Sequence, residues 1–123
     1  TKYFSNCRIV LVLRDPRDQF VEIKHYKKAN SVEGFVDWYK EMQSRLKSIN
    51  NQNILFIQFE DFVLKNEIFL EKLCNHMSIS SKISSSYQPD FSKKNIGKFN
   101  QFLSKNELKF IESNLSEYIY GGE

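Results

Sequence analysis

The chain has 123 residues, 41% hydrophobic and 27% charged, which is the balance of one globular domain and excludes a disordered, collagenous or disulfide-stapled protein. Eighteen basic against 15 acidic side chains leave +3, a surplus too small and dispersed to argue for a nucleic-acid partner. No apolar run reaches the ~18–20 residues of a membrane span, and nothing near Thr1 reads as a signal peptide, so a cytoplasmic protein is expected. The sequence does not begin with Met, which fits a processed, trimmed or partly observed piece of a longer protein.

Cys7-Arg8-Ile9-Val10-Leu11-Val12-Leu13 is a β-branched apolar run without alternation, as in a parallel strand covered on both faces. Arg17 to Lys28 then reads as a helix with Phe20, Ile23 and Tyr26 on one face. Asn30 or Ser31 can cap a second helix, in which Phe35, Trp38, Met42 and Ile49 recur at three-to-four spacing and place Trp38 in the core. Ile54-Leu55-Phe56-Ile57-Gln58-Phe59 repeats the character of the first strand. Strand, helices, strand is a crossover unit, so the two strands are predicted parallel.

Beyond them, Glu60 to Leu64 predicts a short helical turn, and Asn66 caps a longer helix carrying Phe69, Leu70, Leu73, Cys74 and Met77 inward. Ser78 to Ser86 holds six serines in nine residues and reads as a loop. Asp90 to Phe102 stays irregular. Ser104-Lys105-Asn106-Glu107 has the form of a capping box for a last helix with Leu108, Ile111, Leu115 and Tyr118 or Ile119 inward, ended by Gly121-Gly122. Two strands would leave both sheet edges bare, so a partial α/β sheet is expected, helix-rich in this portion.

Cys7 and Cys74 read as two buried free thiols, and His25 and His76 lie apart from other ligand types, so no metal is expected. Two segments can carry chemistry. Arg14-Asp15-Pro16-Arg17-Asp18 follows the first strand, where ligands of open α/β sheets bind, and an arginine there can grip a phosphate with two parallel hydrogen bonds. Alternatively, the two arginines pair with the two aspartates at a solvated helix start. Ser92-Lys93-Lys94-Asn95-Ile96-Gly97-Lys98-Phe99 combines cations with a glycine that lets backbone approach a ligand, or is a solvated lysine loop.

Ile9 to Val21 resembles the 3′-phosphate-binding strand and helix of sulfotransferases that use 3′-phosphoadenosine 5′-phosphosulfate (PAPS). Phe59-Glu60-Asp61-Phe62 is similar to that family's tyrosine-glutamate-aspartate-leucine element. Asn95-Ile96-Gly97-Lys98-Phe99 with Leu103 to Glu107 resembles its C-terminal cofactor loop and closing helix. The three motifs stand in the family's order across nearly the whole chain.

The resemblance implies a P-loop-NTPase-like parallel sheet flanked by helices, with residues 1–123 forming the C-terminal portion of a single domain. It implies sulfuryl transfer from PAPS, leaving adenosine 3′,5′-bisphosphate, to a hydroxyl or amine of a carbohydrate or small molecule. Arg14 would hold the 3′-phosphate; Ser92, Lys93 and Lys94 occupy the stretch that contacts the same phosphate; Gly97 matches the loop glycine; and Phe59 stands where a tyrosine approaches adenine.

Two features depart from the family. Eight residues after its arginine the family has a phosphate-holding serine, and this chain has Glu22. A carboxylate ~4 Å from a phosphate costs roughly 4 kcal/mol per charge pair at an effective dielectric near 20, unless Glu22 turns away or pairs with His25 or a lysine. In addition, the family's glycine-rich 5′-phosphosulfate loop is expected before Thr1. His25 and Glu22 are the nearest titratable groups, and the base stays unassigned. This chain alone is expected to be inactive, and a binding module that has lost catalysis is the alternative.

Overall fold

Ile9–Leu13 (β1) and Ile54–Gln58 (β2) pair in parallel, in register from Ile9 opposite Ile54 to Leu13 opposite Gln58. The computed structural model describes residues 7–26, 31–49, 52–79 and 88–121. It divides into two compact units, one of residues 1–13 and 51–93, the other of residues 14–50 and 94–123. The architecture is helix-rich α/β with a two-stranded parallel sheet among the described residues.

The first unit adds three helices to the sheet, Phe59–Leu64 (α3), Asn66–Met77 (α4) and Asp90–Lys93 (α5). Ile57, Val63 and Cys74 form its buried apolar centre, beside a Glu60 carboxylate that accepts from Gln58 Nε2 at 3.1 Å. The expectation of strands covered on both faces is corrected, because Ile9, Val12 and Phe56 are exposed in the described structure. Cys7 is exposed as well, since it precedes β1, while Cys74 is buried as expected; both thiols are free.

Asn66 begins α4 but does not cap it. Lys65 holds the cap position, and the Asn66 side chain donates backwards to the Phe62 carbonyl at 3.1 Å. Of the apolar set expected inward on α4, Cys74 is buried and Phe69, Leu70 and Leu73 are half-buried, whereas Met77 is exposed. The serine-rich stretch lies outside the described residues from Ser80 to Ser86.

The second unit is helical, built from Pro16–Tyr26 (α1), Val32–Lys47 (α2), Phe99–Phe102 (α6) and Lys105–Asn114 (α7), with a 3₁₀ turn over Ser116–Tyr118. Pro16 opens α1, where its missing N–H leaves no acceptor unsatisfied. The Tyr26 side chain, Lys27 and Lys28 lie outside the described residues. Ser31 caps α2 by accepting from the Gly34 amide at 3.1 Å, and Asn30 lies outside the described residues. The predicted capping box is present: Ser104 Oγ accepts from the Glu107 amide at 3.1 Å, and Glu107 Oε1 from the Ser104 amide at 2.9 Å.

One core cluster gathers Phe20, Val21, Phe35, Val36, Tyr39, Leu103, Ile111 and Leu115. The stripe predicted on α2 is rotated by one residue. Tyr39 is 1% exposed and Trp38 46%, so Trp38 is not core, although its ring still rests 5.9 Å from that of Phe35. Ile49 falls after the end of α2 and is exposed. The stretch from Asp90 to Phe102, expected to be irregular, instead holds the short helices α5 and α6, because Pro89 and Lys98 carbonyls accept the first turns of hydrogen bonds. The last helix does not run to Gly121-Gly122 as expected: α7 ends at Asn114, where Leu115 leaves helical geometry at φ −124° and ψ 32°, and the 3₁₀ turn follows. Gly121 has φ of 72°, a left-handed geometry that suits glycine, and Gly122 lies outside the described residues.

Candidate functional site

Asp18 and Glu22 are four residues apart on α1 and share the face that turns to residues 95–99 of the same unit, and Arg14 stands four residues before Asp18 in the approach to the helix. Asp18 accepts from the Gly97 amide at 2.8 Å through Oδ2 and from the Phe99 amide at 3.0 Å through Oδ1. Arg14 Nη2 donates to the Asn95 carbonyl at 2.9 Å. Two side chains of α1 and its approach therefore clamp the loop at both ends. Gly97, at φ 85°, provides the left-handed bend that lets two of its amides converge on one carboxylate.

Asp18 is only 1% exposed. Burial pushes its pKa up, and the two amides and the Arg14 charge recover only part of that shift. Asp15 is buried too, and accepts from the Arg17 amide at 2.8 Å, Arg17 Nη2 at 2.8 Å and the Tyr120 amide at 2.9 Å. Arg17 also reaches Glu112 at 3.2 Å and lies 3.8 Å over the Phe99 ring. Asp15, Arg17 and Asp18 are thus committed to holding the unit together. The pairing of arginine with aspartate expected as the bland alternative holds for Arg17 with Asp15.

Arg14 takes a different course. Its carbonyl accepts from the Tyr39 hydroxyl at 3.0 Å, which fixes its backbone from the core side. Its Nη1 lies 3.6 Å from Glu22 Oε1, and Lys98 Nζ lies 3.5 Å from that same oxygen. Two cations from different segments therefore converge on one carboxylate, and all three side chains are partly open to water. Glu22 and Lys98 also line a cavity of about 390 Å³ with Val21, Lys24, His25 and Phe102. Lys24 is tied to Glu107 at 2.8 Å.

The other sequence-derived residues are placed as follows. Gly97 belongs to the clamped loop, and its amide is given to Asp18. Lys94, in the same unit, is exposed. In the first unit, Phe59 opens α3 and lines a cavity of about 260 Å³ with Val12, Ile57, Phe62 and Ser92. Lys93 is on the surface of that unit, where its ammonium meets Asp90 at 2.8 Å and lowers that carboxyl's pKa. Arg14 and Gly97 are brought together within one unit, and so are Phe59 and Ser92 within the other.

Asp18 and Lys98 lie within the two segments that the sequence marks for chemistry, but neither was assigned to the site. Their signal was present in the four-residue spacing of Arg14, Asp18 and Glu22, and in the lysine directly after the loop glycine. Among the described residues no helix is long and apolar enough to cross a membrane, and no three His, Cys, Asp or Glu side chains are grouped to hold a metal ion.

A family model described as the sulfotransferase family matches residues 1–82 of the 123. Arg14, Glu22 and Phe59 fall inside that stretch, and the loop from Ser92 to Lys98 beyond it. No curated protein and no solved structure matches the chain.

Proposed function

The chain belongs to the sulfotransferase family, and on that footing we propose that it serves sulfuryl transfer from PAPS to a hydroxyl or amine acceptor. In this reading Arg14 is the arginine for the cofactor's 3′-phosphate. The observation that carries it is the convergence of Arg14 and Lys98 on a single anionic group, with Arg14 anchored at its carbonyl by Tyr39 and at Nη2 by Asn95. A guanidinium held by its backbone and one edge is preorganised, so less ordering entropy is lost when an anion binds.

When bound, PAPS would supply the sulfuryl group: an acceptor oxygen or nitrogen would attack sulfur and give up its proton to a base, while the bond from sulfur to the phosphate oxygen breaks and adenosine 3′,5′-bisphosphate leaves. What this chain's residues contribute is binding and orientation, which dominate group transfers of this kind. Gly97 shapes the loop, and Lys94 adds an exposed charge beside it. Ser92, Lys93 and Phe59 carry the roles the resemblance gives them, Phe59 as an apolar contact for adenine. The parallel pair β1–β2 belongs to a P-loop-like sheet, with residues 1–123 as the C-terminal portion of one domain. The acceptor is a carbohydrate or small molecule, and the general base is unassigned.

Calorimetric titration with adenosine 3′,5′-bisphosphate, with adenosine 5′-monophosphate as the control, tests this. Binding that needs the 3′-phosphate and weakens about tenfold to a hundredfold in Arg14→Ala is expected from the loss of a charge-assisted pair. Equal affinity for both nucleotides, or indifference to Arg14→Ala, contradicts it. A second reading, a module that has lost catalysis, is favoured by the contact of Glu22 with Arg14. It predicts no sulfuryl transfer even where the nucleotide binds.

A further inference from the structure

The Arg14–Glu22–Lys98 cluster is built more like an occupied anion site than like a structural ion pair. At 3.6 and 3.5 Å, both contacts are longer than the ~2.7–2.9 Å of a charge-assisted hydrogen bond, so the carboxylate is shared loosely between its cations. Contrast Asp15, whose carboxylate is buried and meets Arg17 Nη2 at 2.8 Å. The Glu22 side chain keeps 31% of its exposure and can swing into water without desolvation cost. The two cations differ in what holds them. Arg14 is held by bonds to Asn95 and Tyr39 that do not involve Glu22. Lys98 follows Gly97, whose amide is pinned by Asp18, so its backbone stays in place as well.

We infer that Glu22 is an internal stand-in for the ligand's phosphate, and that Lys98 is the second cation of that phosphate site. This rests on the nucleotide reading proposed above. A phosphate monoester enters by displacing the Glu22 carboxylate from Arg14 and Lys98, so the two anions exclude one another. The replacement favours phosphate on charge, because a monoester approaches two negative charges and a carboxylate carries one. It also favours phosphate on geometry, because three terminal oxygens can give each cation its own short hydrogen bond. The 390 Å³ cavity lined by Glu22, Lys98, His25, Val21 and Phe102 opens beside the carboxylate and leaves room for the incoming group. Empty, the site has its two positive charges half-compensated by the one carboxylate of Glu22. Glu22 thereby sets a threshold that weakly charged anions do not pass, and selects for phosphate over carboxylate or chloride.

The test is calorimetric titration of the 123-residue chain and its Glu22→Gln, Glu22→Ser and Lys98→Met variants with adenosine 3′,5′-bisphosphate and adenosine 5′-monophosphate. Removing the competing charge is expected to tighten the bisphosphate about tenfold or more in both Glu22 variants and to leave the monophosphate unchanged. Lys98→Met is expected to weaken the bisphosphate by a similar factor. Bisphosphate binding that requires the 3′-phosphate but is equal or weaker in Glu22→Gln and Glu22→Ser overturns the stand-in role and leaves the sulfotransferase reading intact. Unchanged binding in Lys98→Met overturns its place in the site. Absence of 3′-phosphate-dependent binding in every variant overturns both this inference and the nucleotide reading.

Discussion

In the second unit Phe20, Tyr39, Ile111 and Leu115 are each 1% exposed or less, whereas in the first the sheet leaves Val12 61% and Phe56 41% exposed. The second unit also buries two carboxylates, Asp15 and Asp18, each satisfied by backbone amides from segments distant in sequence. The first unit holds its strands by main-chain pairing, with a small apolar centre at Ile57, Val63 and Cys74. The contrast teaches where precision is stored. Arg14 and the loop around Gly97 are positioned by a closed helical core and by buried acceptors, which tolerate little change. The exposed strand residues Val12 and Phe56 can vary more freely.

The sharpest way to break the comparison is Asp15→Ala. It removes the acceptor of the Tyr120 amide and the buried one of Arg17's two carboxylate partners, and an unfolding titration in urea should show about 3–5 kcal/mol of destabilisation. Next is a matched pair. Ile111→Ala, at a site with no exposure, should cost about 2–5 kcal/mol, while Val12→Thr should stay within about 0.5 kcal/mol. Equal losses would erase the distinction between the units.

Asp18→Ala removes the acceptor for two amides. A loss of about 2–3 kcal/mol is expected, with faster hydrogen exchange at Gly97 and Phe99 and little change at Val63. Global exchange at all three would mean that the loop is not held by Asp18 in particular.

The smallest effect is a pH dependence with opposite signs at two carboxyls. Burial raises the pKa of Glu107, but the Lys24 ammonium and the Ser104 amide outweigh it, and the net shift is downward. Its contribution is present above the ordinary carboxyl pKa and is lost as pH falls through the folded-state value. Asp18 is shifted upward by burial, so its contribution is present below the ordinary value and is lost as pH rises through the folded one. Glu107→Gln should therefore flatten the loss of stability between roughly pH 5 and 3, read from urea midpoints. An unchanged slope would show that the Lys24 pair contributes nothing there.

Much of this fold was legible beforehand. β-branched apolar runs identified two strands, the helical crossover between them predicted their parallel pairing, and Ser104-Lys105-Asn106-Glu107 announced its helix because reciprocal capping needs only local spacing. The family showed itself in motif order, and its model covers residues 1–82. What was not legible depended on rotation and distance. Trp38 and Tyr39 differ by one step of about 100° on α2, and apolar spacing could not choose between them. The choice follows from the Tyr39 hydroxyl, which needs a buried acceptor and finds the Arg14 carbonyl.

The candidate site divided in the same way. Arg14 was readable from its place after a strand. Lys98 acquires meaning only when the loop folds back onto α1 and meets Glu22. Glu22 read as an obstacle to phosphate unless it pairs with His25 or a lysine, and its carboxylate lies between Arg14 and Lys98.

The central claim, that Arg14 and the residue 95–98 loop bind the nucleotide's 3′-phosphate, is tested most directly by NMR. The ¹⁵N-labelled chain would be titrated with adenosine 3′,5′-bisphosphate and, separately, with adenosine 5′-monophosphate. The account predicts saturable shifts of the Arg14 guanidinium and the amides from Asn95 to Lys98 with the bisphosphate and not with the monophosphate. Identical shifts with both nucleotides, or shifts that leave Arg14 and Lys98 unmoved, would contradict it.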